Sequence, residues 1–262
     1  MSFSAEWLAL REPADHAARD RGLLRRAVAA AGPKPVVLDL GCGTGSTVRA
    51  MRAQLPSETR WRLVDNDAAL TESAAQDAGG ETETFVLDIS DLEVLPLRDV
   101  TLVTASALLD LVPEDWLRQL ALRLKVPFYA ALSYDGEMCW TPEMETDAAV
   151  TEAFNAHQRS EKGMGRALGP DAAKAGAALL EEAGFSVVQA ESPWCLGPTE
   201  TALQRELVDG ITDSALQMGC SSAAAWGEAR RDAAATSSAR IGHRDLLALP
   251  PGIAGGNLHA PD

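Results

Sequence analysis

The octapeptide Asp39-Leu40-Gly41-Cys42-Gly43-Thr44-Gly45-Ser46 constrains the fold of this 262-residue chain more than any other feature. It lies between Val36-Val37-Leu38-Asp39-Leu40, a short run that reads as a buried strand, and an amphipathic pattern that predicts a helix over 46–55. Glycines at a strand-to-helix turn let the backbone reverse tightly and let a ligand approach without a Cβ in the way. A dinucleotide-binding fingerprint of the form GxGxxG needs Gly or Ala at position 46, where this chain has Ser46. The loop therefore predicts a ligand at the carboxyl end of the first strand and weakens a nicotinamide reading at its most diagnostic position.

Around the loop, short apolar runs at 61–64, 84–87, 100–105 and 127–132 read as further strands, alternating with helical patterns at 68–77 and 113–124. Such alternation predicts an α/β domain whose parallel sheet is covered on both faces. Residues 4–31 read as helical, interrupted near Glu12-Pro13 and stopped at Ala31-Gly32-Pro33. Further on, helices are expected at 147–162, 171–183 and twice within 199–239, with strands at 185–190 and 241–249. A chain of this length, 46% hydrophobic, can bury one substantial core. The expected organisation is a single domain over 1–250, with a helical cap at 1–32, a cofactor-binding core at 33–135 and an acceptor-side half at 136–250, followed by a flexible tail at 251–262.

Two further acids sit at expected strand ends. Asp65 closes the second strand, 26 residues after Asp39, and a carboxylate there can accept two hydrogen bonds from the vicinal hydroxyls of a ribose. Asp88 closes the third. Any one strand-terminal Asp also serves as a helix N-cap. Three acids and a glycine loop in register with successive strands argue together for a ligand.

On these residues the chain resembles the class I S-adenosylmethionine-dependent methyltransferases, whose first motif, an acidic residue followed by GxGxG after strand 1, is matched by Asp39 to Gly45. The resemblance implies a Rossmann-like, doubly wound, mostly parallel seven-stranded sheet with helices on both faces, and S-adenosylmethionine as cofactor. It further implies that Asp39, Gly41, Gly43 and Gly45 cradle the cofactor and that Asp65 takes the ribose. Asp88 would meet the adenine amino group with the Ile89 backbone nearby, and Ser106 would border the methionine part. The strings Ala131 to Gly136, His157 to Pro170 and Ser192-Pro193-Trp194 are similar to a bacterial methyltransferase group of unassigned substrate.

An acceptor belongs at the same edge of the sheet, because ligands of open α/β sheets bind beyond the carboxyl ends of the strands. After strand 5, Tyr134 could orient an acceptor and Asp135 could take its proton, unless Asp135-Gly136 is simply a turn. His157 falls in a polar and basic segment, 156–166, that reads either as a lid or as a helix C-terminus. These three are the catalytic candidates. Trp140, Trp194 and Trp226 either line an aromatic pocket or pack internally.

The segment after strand 4 lacks the (D/N)PPY tetrapeptide of nucleic-acid amino-methylating enzymes. A formal charge of -15, from 38 acidic and 23 basic residues, repels phosphate backbones and anionic membranes. A small-molecule acceptor is therefore expected, with no nucleic-acid or membrane partner. No apolar run approaches the roughly 20 residues that span a bilayer, and nothing at the start reads as a signal peptide. Four scattered cysteines signal neither a disulfide framework nor a metal site, so the chain is expected in the cytoplasm without a bound metal. Two alternatives stay open: a cofactor-binding protein with other chemistry or a sensing role, and a nicotinamide oxidoreductase.

Overall fold

A computed structural model describes residues 3–252, so most of the expected tail at 251–262 lies outside the described residues. The five predicted strands of the first half form as β1 (Val36–Leu40), β2 (Arg60–Asp65), β3 (Thr82–Val86), β4 (Leu102–Ser106) and β5 (Phe128–Thr141). β6 (Ser186–Glu191), β7 (Trp194–Leu196) and β8 (Ser238–Leu249) follow. They build one mixed sheet in the order β3-β2-β1-β4-β5-β8-β6, with β7 pairing beside β6 along β8. β1 to β5 are parallel, and β8 runs antiparallel to β5, β6 and β7. The sheet is Rossmann-like, with a short extra strand added to the expected seven.

All five residues of β1 are buried, as expected of a central strand covered on both faces. Val36, Leu38 and Leu40 point into one layer, with Trp116, Leu117 and Leu120 of α5 (Glu114–Arg123) and Leu179 and Leu180 of α7 (Ala172–Glu182). Val37 points into the other, with Leu23, Leu24 and Ala27 of α2 (Arg21–Ala30), Val48 and Met51 of α3 (Ser46–Met51) and Ala74 of α4 (Ala68–Ala78). A period of two thus splits one strand between two cores.

A third core lies beyond the sheet's carboxyl edge. There α6 (Asp147–Gln158), α8 (Thr201–Gln217) and α9 (Ala223–Ala233) enclose Trp140, Trp194, Trp226, Ile211 and Ile241. The Trp140 and Trp226 rings meet edge to face at 5.6 Å, and Trp194 stacks 5.1 Å from His243, so these tryptophans pack internally.

Several boundaries differ from expectation: α3 ends at Met51 and not at 55, α6 ends at Gln158 and not at 162, and β8 begins at Ser238 and not at 241. The N-terminal helical stretch breaks at Arg19-Asp20, and Pro13 lies inside α1 (Ala5–Ala18). The break is set by Asp20, which caps α2 by accepting from Leu23 N at 2.6 Å, while its own N–H donates to Asp245 Oδ2 at 3.0 Å. Strand 5, expected to end at 132, continues to Thr141. The Asp135-Gly136 pair is a bulge here, with Gly136 at φ +92° and the register against β8 shifting between Tyr134 and Met138. Beyond it the two strands pair as far as Thr141 and Ser238, which carries the sheet into the third core.

Candidate active site

The carboxyl ends of β1, β2 and β4 open into a cavity lined by Gly41, Cys42, Gly43 and Thr44. Asp65, Asp88, Ile89 and Ser106 line it further, while Leu8, Arg11 and Asp15 of α1 and Lys162, Gly163 and Met164 close it from above. All the glycine-loop and acidic candidates except Asp39 and Gly45 thus face one space, and those two support it from behind.

The loop is held by backbone donors. Cys42 N donates to Val64 O at 2.9 Å, and Gly43 N donates to Asp65 Oδ2 at 2.9 Å. Asp65 Oδ1 accepts from Asp67 N at 3.2 Å, so each carboxylate oxygen has one backbone partner and retains further lone-pair capacity. Gly45 is required by backbone contact as well as by φ, and Gly43 by φ with a side chain close by. At Gly45, φ +87°, a Cβ would stand 3.0 Å from Ala74 Cα of α4, and at Gly43, φ +51°, it would stand 3.1 Å from Leu8 Cδ1 of α1. The chain keeps these positions bare where a helix and the cavity roof crowd the turn. His16 Nε2 lies 3.0 Å from Ser46 O, and Arg49 joins Glu12 to Thr44 O, so α1 is latched onto the loop.

Asp39 is 1% exposed. Its Oδ1 accepts from Thr104 Oγ1 at 2.7 Å, while Oδ2 is buried with no partner among the described residues. Burial pushes its carboxyl up to about 7, against the opposing pull of the Thr104 hydrogen bond and of Arg19. Asp88 behaves differently. It is exposed, lies two residues past the end of β3, and accepts from Ser90 N at 2.9 Å, which holds its carboxyl below the usual range. Ile89 lends its carbonyl to Trp116 Nε1 at 2.6 Å, and Ser106 Oγ accepts from Arg19 Nη2 at 2.9 Å. The Cys42 thiol is pushed far up by burial and by Asp39 and Asp65, which leaves it inert as a nucleophile.

The three catalytic candidates lie outside the cavity wall. Tyr134 is buried in the third core, donating to Asn155 Oδ1 at 2.8 Å and facing Phe154 at 5.6 Å. Asp135 pairs with Arg244 at 3.4 Å across Gly242. His157 stands behind Lys162, its Nδ1 3.3 Å from Nζ, and burial followed by that cation lowers its pKa. The segment 156–166 ends α6 and turns back through a bridge between Glu161 and Arg166, which brings Lys162 to the cavity.

Two groups that sequence reasoning passed over stand out. Asp110, an acid inside the apolar run Leu108-Leu109-Asp110-Leu111-Val112, has a buried Oδ1 with no partner among the described residues. Burial pushes its carboxyl up to about 6, while Arg11 and Lys162 of the cavity roof pull it down. Its signal was a lone charge within an apolar run at a strand end. The other, Arg19, carried no signal that separates it from the neighbouring arginines of the same helical stretch.

Residues 37–126 match the family model described as a methyltransferase domain. No curated protein matches the chain. Among solved structures, the cyclopropane synthase MmaA2 from Mycobacterium tuberculosis is similar over 94% of both chains, with a TM-score of 0.53 at 12% identity. The YcgJ protein from Bacillus subtilis matches 87% of this chain and 97% of its own, with a TM-score of 0.51 at 12% identity. The mycolic acid cyclopropane synthase CmaA1, complexed with S-adenosylhomocysteine, matches 87% and 83%, with a TM-score of 0.50 at 8% identity. These likenesses show the fold. The matched segment, which carries β1, β2, β3, β4 and the glycine loop, is that of a methyltransferase domain. That match favours methyl transfer over the nicotinamide and non-transfer alternatives.

Proposed function

We propose that the protein is an S-adenosylmethionine-dependent methyltransferase that methylates a small-molecule acceptor in the cytoplasm. In this reading Gly41, Gly43 and Gly45 cradle the cofactor, Asp65 takes its ribose, Asp88 and the Ile89 backbone its adenine, and Asp39 and Ser106 border its methionine end. The observation that carries the reading is the single cavity on which these strand ends converge, with bare glycines where side chains would fill it. An unpartnered buried Asp39 oxygen beside the loop fits a ligand with a donor to offer. The division into a cap at 1–32, a cofactor half at 33–135 and an acceptor half at 136–250 is kept as a functional one, although β5 crosses its second boundary.

When bound, the cofactor supplies a methyl group made electrophilic by its sulfonium. The chain's own task is to orient the acceptor and exclude water. Leu108, Leu111, Val112 and Met164 give the acceptor an apolar wall, and α1 with Lys162 to Met164 covers the opening. Asp110, behind this wall with a buried unpartnered Oδ1, is the carboxyl that would take a proton from the acceptor if a base is needed. His157 orients Lys162, whereas Tyr134 and Asp135 shape the β5 bulge behind the site. The small acceptor is supported by this closed apolar wall and by a net charge of -15, which repels nucleic acid. Among the described residues no helix is long and apolar enough to cross a membrane, and the four cysteines are free.

Titration calorimetry with S-adenosylhomocysteine tests the cofactor assignment. Binding in the micromolar range, on the order of -8 kcal/mol, should be lost in Asp65→Ala, with no response to NADH. Unchanged affinity in that variant would remove Asp65 from the ribose.

A further inference from the structure

Of the two cations that line the cavity, Arg11 is neutralised by Asp15, to which its Nε and Nη2 donate at 2.9 and 3.1 Å. Lys162 forms no ion pair among the described residues, and its Nζ meets the ring Nδ1 of His157 at 3.3 Å instead. Glu161, its neighbour in sequence, is engaged elsewhere, its Oε1 accepting from Gly163 N at 2.8 Å and Gly165 N at 2.7 Å. Lys162 is half-buried, and burial lowers its pKa while Asp110 opposes that from beyond ion-pair distance. The turn that carries it is fixed at both ends. Lys162 N donates to Gly165 O at 3.2 Å, with Gly163 and Gly165 at φ +98° and +121°. Leu168 N then donates to Val112 O at 2.9 Å, which ties the turn to the segment whose Leu108, Leu111 and Val112 form the apolar wall. An ammonium has three N–H donors and no acceptor, so one bond to a neutral imidazole leaves two donors and the whole charge unanswered.

We propose that the acceptor is a carboxylic acid with an apolar body, and that Lys162 binds its carboxylate while the wall opposite takes the body. A charge-assisted hydrogen bond formed in a partly dry cavity is strong. A single ammonium is a compact point charge and suits a monoanion, since the second cation of the cavity is already neutralised. In a chain of net charge -15 an anionic substrate needs such a local cation to be held at all. The inference rests on the methyltransferase reading above and names the substrate class for it.

The probes are phenylpropionate and octanoate, each compared with the primary amide of the same carbon skeleton and titrated calorimetrically into protein saturated with S-adenosylhomocysteine. At least one acid should bind, and about ten- to a hundredfold more tightly than its amide, as a charge-assisted contact does. Lys162→Met, which keeps the apolar stem, should bring that acid down to the level of its amide and leave the affinity for S-adenosylhomocysteine unchanged. Lys162→Arg should keep the preference for the acid. Acids that bind no better than their amides, or a preference that survives in Lys162→Met, would overturn the assignment. So would weaker binding of S-adenosylhomocysteine in Lys162→Met, which would give Lys162 to the cofactor. If Lys162→Met fails to fold by circular dichroism, Lys162→Gln decides on the same ratio of acid to amide. A wild-type chain that does not bind S-adenosylhomocysteine would defeat the cofactor reading itself, a failure distinct from that of the acids alone.

Discussion

Asp39 shows how one buried atom couples ligand binding to pH. Burial, aided by Asp65 and opposed by Thr104, Arg19 and Thr47, holds its carboxyl up to about 7, so in the free protein it carries a proton through most of the range below neutrality. An ammonium group placed against it favours the ionised form, and binding then expels that proton. The sign follows: S-adenosylhomocysteine should bind more weakly as pH falls through 7, approaching a tenfold loss per unit at the steepest. Calorimetry at pH 6 in buffers of different ionisation enthalpy should register proton release that vanishes in Asp39→Asn. Proton uptake instead would mean that the ammonium group sits elsewhere. The motif that contains Asp39 was legible in the sequence because its glycines and acids recur at fixed places on successive strands. Arg19 and Asp110 were not, because burial without a partner arises only when α1 and β5 close over β1 and β4. In the sequence Arg19 belongs to the same polar stripe as Arg21, Arg25 and Arg26.

At the scale of elements, the early βαβ alternation was readable in order and type, with β1 at its expected bounds and α4 and α5 each within a residue or two, while α3 ends four residues short. What escaped was the far end of β5. An Asp-Gly pair followed by Glu137 has the composition of a turn, and only the partner strand β8, more than a hundred residues away by its register, makes it a bulge. The third core built on that extension depends on a buried pair. Arg230, 1% exposed, donates to Asp147 Oδ1 and Oδ2 at 2.6 and 2.5 Å and to Pro142 O at 2.8 Å, and Trp226 Nε1 adds a bond to Asp147 at 2.7 Å. Removing one partner leaves the other charged and buried, so Arg230→Ala should cost about 3–5 kcal/mol in urea unfolding. Arg118→Ala, which breaks the exposed pairs to Glu114 and Glu182, should leave the urea midpoint close to that of the wild-type chain. Comparable losses in both variants would show that burial does not set the difference.

Across the whole molecule, α1 joins the parts that the sequence separates into cap, cofactor half and acceptor half. Asp15 of α1 accepts from Trp194 Nε1 at 2.9 Å and pairs with Arg11 at 2.9 Å, while Leu8 and His16 reach the glycine loop. One helix therefore roofs the cavity while touching both the Rossmann-like sheet and the third core. A ligand that fills the cavity should stabilise the molecule by about 2.7 kcal/mol at a hundredfold excess over Kd, which for a chain of this size raises Tm by roughly 5–10 °C. The gain should be uneven. Amide hydrogen exchange with S-adenosylhomocysteine should slow most in the glycine loop, in α1 and at 162–164, because these segments meet at the cavity. α8 and α9, which line no part of it, should change only as far as global unfolding slows. Protection confined to residues 41–46 would mean that α1 does not close on the ligand, and the acceptor would then enter from the side the helix occupies.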